Sequence, residues 1–260
     1  MSSHTTNGSN KSNISNNNNT HDANTKPGID PSLFRVRRAR DVDVPAMAAL
    51  EVSAFLDSPM HKAMFPERLR IKPGIQDQVE WNTTRMRRGL ADPGLTFLVV
   101  AYRRPGEGEI IVGSAEWAAP VDDEAARREA RKGVAEKAGD IERRLNGLPP
   151  CLDKGVVVEA ATEVMKLLER SQEAYREKNR HRTWTLNSIC VDGDYRGLGI
   201  GKMLTRWGME RAEHDKADIW VVSPPPGRPL YDGLGFSLVA QGQRLGEPQY
   251  VMLKLYDGPQ

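Results

Sequence analysis

The sequence predicts one mixed α/β domain over residues 32–260, behind a disordered tail over 1–31. Three observations lead there. Composition changes abruptly near Pro31. An apolar-alternating hairpin pattern follows, and a strand–glycine turn–helix–strand unit comes later. Residues 1–30 hold eight Asn, five Ser and four Thr and no aromatic residue. Such a segment cannot bury enough surface to offset its ordering entropy.

The elements follow in order. Leu33 to Arg38 alternates apolar and basic residues, as a half-buried strand does. Asp41 is placed to cap a helix with Pro45 in its first turn and Met47, Leu50 and Ala54 on one face. A second helix is expected over 75–90, where Arg85, Arg87 and Arg88 mark a solvated face. Thr96–Tyr102 and Glu109–Ala118 read as hairpin strands about the turn at 105–108. Residues 121–180 form a charged helical insertion with 13 acidic and 13 basic side chains, so its charge describes a solvated surface, not a binding patch. Its second half carries Val157, Ala161, Val164, Leu168 and Tyr175 at helical spacing. Strand 184–191, helix 199–214, strand 218–222, a short helix near 229–233 and strands near 236–243 and 250–256 complete the chain.

Composition removes several functions. With 37 Lys+Arg against 35 Asp+Glu, the chain lacks the basic excess of a dedicated nucleic-acid binder, so no nucleic-acid partner is expected. Cys151 and Cys190 are too few for a disulfide framework or a four-cysteine metal site, and no metal is called for. There is no apolar run of membrane-spanning length and no signal-like N-terminus. The expectation is therefore a cytoplasmic protein without a membrane partner, with the nucleus as the other compartment allowed.

Chemistry concentrates in I-C-V-D-G-D-Y-R-G-L-G-I-G-K, residues 189–202. A buried strand ends at Val191, and a turn with Gly197, Gly199 and Gly201 feeds a helix. Glycines let a ligand approach the main chain, and the helix's first N–H groups with its positive dipole end form an anion site. Arg196, Lys202 and Arg206 add positive charge. A Walker loop would need Gly where Arg196 stands and Ser or Thr where Met203 stands. A Rossmann fingerprint needs G-x-G-x-x-G and an acid closing the next strand, which here ends Val221-Val222-Ser223. Both nucleotide readings fail on spacing. The remaining alternative to an anion loop is a glycine-rich tight turn without a ligand.

R-G-L-G-I-G resembles the acyl-CoA signature, Arg/Gln-x-x-Gly-x-Gly/Ala, of the GNAT superfamily of N-acetyltransferases. L-Y-D-G-L-G-F at 230–236 resembles that family's Tyr-x-x-x-Gly-Phe element, at suitable separation. The resemblance implies a GNAT-like mixed, mostly antiparallel central sheet flanked by helices, with the helical insertion between the third and fourth strands. It implies an acetyl-CoA-dependent N-acetyltransferase acting on a primary amine of a small molecule or protein. The alternative is a non-catalytic acyl-CoA-binding or regulatory domain.

On that resemblance, the pantetheine arm pairs with Ile189, Cys190 and Val191. The pyrophosphate lies on Arg196, Gly197, Leu198, Gly199, Ile200 and Gly201, with Lys202 at the edge and Ser223 near the arm. A main-chain N–H near Val191 polarises the thioester carbonyl. Tyr231 matches the tyrosine that protonates the departing thiolate, whereas Cys190 is a packed cysteine rather than a nucleophile. Alternation on the strand puts Thr185, Asn187 and Ile189 on one face. Neither Thr185 nor Asn187 can act as a base where relatives carry His or Glu. Glu116, an acid within the apolar strand G-S-A-E-W-A-A-P, is the best substitute candidate, directly or through a water on Asn187; the alternatives are an outward-facing carboxylate on the hairpin and an amine deprotonated in bulk solvent. For the acceptor, Asn187, Trp117 and Phe65 are expected to line the cleft, with His61 and Pro66 beside them.

Overall fold

The computed structural model describes Met1 and residues 29–256, apart from 105, 107, much of 122–148 and 177–181. The expected tail over 1–31 and the first half of the insertion therefore lie largely outside the described residues.

Seven strands form one sheet: β1 (Phe34–Arg38), β2 (Leu95–Arg104), β3 (Gly108–Ala118), β4 (Thr183–Val191), β5 (Asp218–Ser223), β6 (Ser237–Arg244) and β7 (Glu247–Lys254). Their order is β1-β2-β3-β4-β5-β7-β6, and every neighbouring pair is antiparallel except β4 and β5. The parallel pair needs a crossover, which helix α5 (Ile200–His214) supplies. The other α-helices placed among the described residues include α1 (Val44–Phe55), α2 (Pro59–Met64), α3 (Gln76–Leu90), α4 (Lys154–Arg176) and α6 (Arg228–Asp232). Helix α4 is the predicted second half of the insertion and lies between the third and fourth strands.

Period-two alternation divides the sheet between two cores. Leu98, Val100, Val112, Ala115 and Trp117 face Ile200 and Leu204 of α5. Phe97 and Val99 face Met47 of α1 and Met86 of α3. Two glycines let α5 sit close to β3. A Cβ on Gly113 would come 2.6 Å from Ile200 Cγ2, and one on Gly208 would come 2.2 Å from the Trp117 ring.

The start of α1 differs from expectation. Asp41 opens a short 3-10 turn, Asp41–Asp43, instead of capping the helix. Asp43 ends that turn, accepting from the Arg40 N–H at 2.7 Å and from both Arg37 guanidinium nitrogens at 2.7 and 2.9 Å. Arg37 holds the Asp43 carboxyl well below the usual carboxylate range. The bidentate pair outcompetes capping because it satisfies two donors and a charge at once.

Candidate functional site

Strands β4 and β5 pair only from Thr183↔Asp218 to Leu186↔Val221. Beyond Leu186, β4 continues to Val191 hydrogen-bonded to β3 alone, so its other edge opens into a split in the sheet. An edge of unpaired main-chain groups can accept one more extended chain. Ile189, Cys190 and Val191 lie along it.

The glycine loop lies beyond the end of β4, on the α5 side. Gly197 and Gly199 have φ of 85° and 82°, a left-handed conformation that a β-carbon disfavours. Gly199 occupies the N-cap position of α5, so the N–H groups of Ile200, Gly201 and Lys202 begin the helix ahead of its first hydrogen bond, Met203 N–H to Gly199 O. Ile200 anchors the turn in the core at 1% exposure, Leu198 packs against the same core, and Arg196, Lys202 and Arg206 are exposed around the loop. Arg196 Nε donates to Val191 O at 3.3 Å, tying the loop to the strand. This local chemistry fits the pyrophosphate of a coenzyme A.

Tyr231, on α6, is buried and edge-on to Phe236, with ring centroids 5.6 Å apart. Burial pushes its phenol well above the ordinary tyrosine value, so the hydroxyl keeps its proton at neutral pH. Ser223 closes β5, and its hydroxyl donates to Pro224 O at 2.9 Å. A Cβ on Gly227 would meet that hydroxyl at 2.5 Å and Tyr231 Cε2 at 3.6 Å, so a glycine there brings the two side chains together. The Cys190 thiol is pushed up to about 12 by burial and touches Ser114 Oγ at 3.2 Å, the behaviour of a packed residue.

The other face of the split carries an acid cluster. Glu116 Oε2 accepts from Arg85 Nη1 at 2.6 Å, and Oε1 accepts from Asn187 Nδ2 at 3.0 Å. Arg85 Nη2 also donates to both oxygens of Glu51 on α1, at 2.8 and 3.0 Å. One guanidinium thus serves two carboxylates, leaving a formal charge of about −1 in a half-buried setting. Burial raises the Glu51 pKa, the Glu116 charge adds to the rise, and Arg85 works against it. Burial also opposes the charge on Arg85, but the two carboxylates outweigh it and hold its pKa above the ordinary value.

A β-bulge in β4 lies opposite this cluster. Glu116 pairs with Ser188, but the next residue, Trp117, pairs with Leu186, leaving Asn187 as the extra residue. Trp184 and Leu186 before the bulge, and Ile189 and Val191 after it, therefore all pack towards the α5 core, while Asn187 turns to Glu116. The expected shared face of Thr185, Asn187 and Ile189 is overturned, because simple alternation cannot anticipate an inserted residue.

Two further expectations are corrected by packing. Trp117 does not wall an acceptor cleft: it is fully buried on the α5 side, against Gly208 and edge-on to Trp184 at 6.5 Å. Arg85 leaves the solvated arginine face to join the acid cluster, while Arg87 and Arg88 remain exposed. Phe65 keeps its place beside the first helices, 5.0 Å from His61 and 5.8 Å from Trp81 by ring centroids. Glu51 went unrecognised in the sequence; only its helical position, one residue past Leu50, hinted at its face.

An anion loop at the open end of a split parallel pair, with a buried tyrosine on the helix that follows β5, is a scaffold of the acyltransferase class. Residues 64–236 match the acetyltransferase (GNAT) family, and the chain belongs to it. Members of this family use acetyl-CoA as co-substrate. Among solved structures, the chain resembles the histone acetyltransferase HPA2 and related acetyltransferase from Corynebacterium glutamicum. That match has 20% identity and a TM-score of 0.56, over 87% of this chain and 98% of that one. An agmatine N-acetyltransferase matches at 16% identity and 0.56, over 85% and 99%. The polyamine N-acetyltransferase of Drosophila melanogaster, which forms N-acetylagmatine, matches at 16% and 0.54, over the same shares. No curated protein matches the sequence. Among the described residues, no helix is long and apolar enough to cross a membrane.

Proposed function

We propose that this chain transfers the acetyl group of acetyl-CoA to a primary amine by direct attack within a ternary complex. The observation that carries the reading is the β4–β5 split, with an anion loop on one face and a net-negative acid cluster on the other. The coenzyme lies along Ile189–Val191 with its pyrophosphate on 196–202. The amine arrives as an ammonium ion drawn to Glu51, Glu116 and Asn187, with Phe65 at the edge of its cleft.

Each residue then has a task. An alkylammonium, with a pKa near that of lysine at about 10.4, must lose a proton before it can attack. Glu116 is fixed through both oxygens, by Arg85 and by Asn187, and therefore orients the amine. Glu51 shares Arg85 with Glu116, and its raised affinity for a proton suits it to accept one, directly or through a water. The free amine forms the new C–N bond at the thioester carbonyl, and a main-chain N–H near Val191 stabilises the tetrahedral oxyanion. The C–S bond breaks with its electron pair going to sulfur, Tyr231 protonates the thiolate, and the proton that the new amide nitrogen sheds returns to the Tyr231 oxygen through water. No covalent enzyme intermediate is required, which agrees with the inert Cys190.

The test is calorimetry with acetyl-CoA beside an Arg196→Ala/Gly199→Asp double variant, followed by CoA release on a panel of primary amines. Micromolar binding that the double variant loses, together with turnover, is the expected result. Absence of acetyl-CoA binding by folded protein would sink the transferase reading. Binding without turnover on any amine would favour the acyl-CoA-binding alternative.

A further inference from the structure

A second concavity lies between α2, the N-terminal half of α3 and the end of the insertion. Its volume is about 330 Å³, and His61, Phe65, Gln78 and Cys151 are among its walls. The insertion closes it. Asp153 N–H donates to Met64 O at 2.8 Å, and Arg68 Nη2 meets Asp153 Oδ2 at 2.5 Å, fastening the segment before α4 onto α2. Cys151 and Leu152 are each only 3% exposed as a result.

The polar atoms of this cavity divide into two kinds. Every charged group lining it has a partner: Asp57 with Lys62 at 3.2 Å, Glu67 with Arg70, and Asp77 with the N–H groups of Ile71 and Lys72 at 2.8 and 3.1 Å. Two neutral side chains do not. His61 Nε2 and Gln78 Oε1 are buried without a hydrogen-bond partner among the described residues. His61 is 8% exposed, and burial lowers its pKa, so the ring is uncharged at neutral pH. Buried polar atoms left unpaired destabilise the fold, because their lost hydration is not replaced. A ligand group that satisfied both would recover that cost.

The cavity adjoins the acid cluster through α3. Gln78 and Arg85 are seven residues apart on the same face of one helix, a rise of about 10 Å. Between them stands Trp81, which Phe65 meets edge-on from α2 and over which the Arg85 guanidinium lies at 5.7 Å. A chain whose amine rests at Glu51 and Glu116 would run along this aromatic wall and deliver its other end to His61 and Gln78.

We propose that this cavity is the specificity site for the far end of the acceptor, and that it takes a neutral group able both to donate and to accept a hydrogen bond, a carboxamide above all. Gln78 Oε1 accepts from the amide NH₂, His61 Nε2–H donates to its carbonyl oxygen, and the aromatic wall covers the intervening methylenes. Paired rim charges leave no counter-ion for a carboxylate or a second ammonium. The inference rests on the transferase reading for the position of the amine, but the cavity's preference can be measured without turnover.

Three amines of matched length serve as probes: 6-aminohexanamide, its isopropyl isostere 6-methylheptylamine, and the anionic 6-aminohexanoate. Their binding to the full chain with CoA present is measured by calorimetry, and acetylation by CoA release. The amide is expected to bind roughly tenfold more tightly than either of the others. Gln78→Leu and His61→Phe should each erase that preference, raising KM for the amide alone and leaving kcat and acetyl-CoA binding in place. Equal binding of the three probes, or a preference untouched by both variants, overturns the proposal. Absence of acetyl-CoA binding by the folded parent would instead count against the transferase reading; hexanamide binding to the free chain that Gln78→Leu and His61→Phe abolish would then still support the cavity's role, and no hexanamide binding would overturn it.

Discussion

The two faces of the β4–β5 split are built in opposite ways. On the α5 face, the anion site comes from one run of sequence, Ile189 to Lys202, whose glycines and helix start define it locally. On the α1–α3 face, Glu51, Arg85, Glu116 and Asn187 come from four elements, and their hydrogen bonds span 31, 34 and 71 residues of sequence. The first face binds through main-chain geometry, which tolerates most changes except at glycine. The second acts through one guanidinium shared by two acids, so neutralising any one of these three alters the charge of the whole.

The largest effect that would sharpen this contrast comes from Tyr231→Phe. Removing a positioned general acid should lower kcat by about 10²–10⁴-fold while leaving acetyl-CoA affinity within a few-fold of the parent. Stopped-flow CoA release and calorimetry on the same preparation separate the two. A variant with full kcat would show that the thiolate leaves unassisted and would confine Tyr231 to packing against Phe236.

A smaller but more diagnostic effect is expected at Glu51. For the parent, kcat/KM should rise with pH through a value above the ordinary carboxylate range, because only the ionised acid can take the ammonium proton. Glu51→Gln should reduce kcat/KM by about 10–100-fold and flatten that limb, leaving only the rise set by the amine itself. Stability has its own sign. A carboxyl with a raised folded pKa contributes most below its unfolded value, and that contribution fades as pH rises through the folded value. Gln mimics the protonated acid, so Glu51→Gln should match the parent's Tm at acid pH and exceed it as pH rises through the folded value. An unchanged pH profile would return the proton-accepting role to Glu116 or to solvent.

The same contrast explains what could be read without coordinates. The 189–202 segment, the 230–236 segment, the hairpin and α4 were legible because each signal is local, a spacing of glycines or a period of apolar residues. The acid cluster was not, although Glu116 stood out as an acid in an apolar strand. Its partner Arg85 reads as a member of a solvated triplet, and Glu51 carries only the weak signal of standing next to Leu50. The link between Asn187 and Glu116 was legible, since the two face each other across β3 and β4, but the bulge at Asn187 was not, and it turns Ile189 to the opposite face from the one that alternation predicts. Local spacing makes Asp41 a cap candidate, but the chain first makes a 3-10 turn that puts Asp43 at the helix start, where the Arg37 pair from another element occupies its carboxylate.

The smallest expected effect on catalysis is also the cleanest check on which residues belong to which face. Trp117 neighbours Glu116 in sequence, yet strand alternation sends it through the sheet to the α5 core, where its ring fills the space a Cβ on Gly208 would need. Gly208→Ala must displace that ring or push α5 off β3. Overpacking of this kind costs about 1–3 kcal/mol, against a gain of at most about 1 kcal/mol in helix propensity. Differential scanning should show a Tm lowered by roughly 2–8 °C for a domain of this size. Because Trp117 packs away from the amine, KM for the acceptor should stay within about twofold of the parent at a temperature where the variant is folded. A KM that rose tenfold with little change in Tm would place the indole in the acceptor cleft after all, and would mean that the division of the sheet at β3 into a coenzyme face and an amine face is wrong.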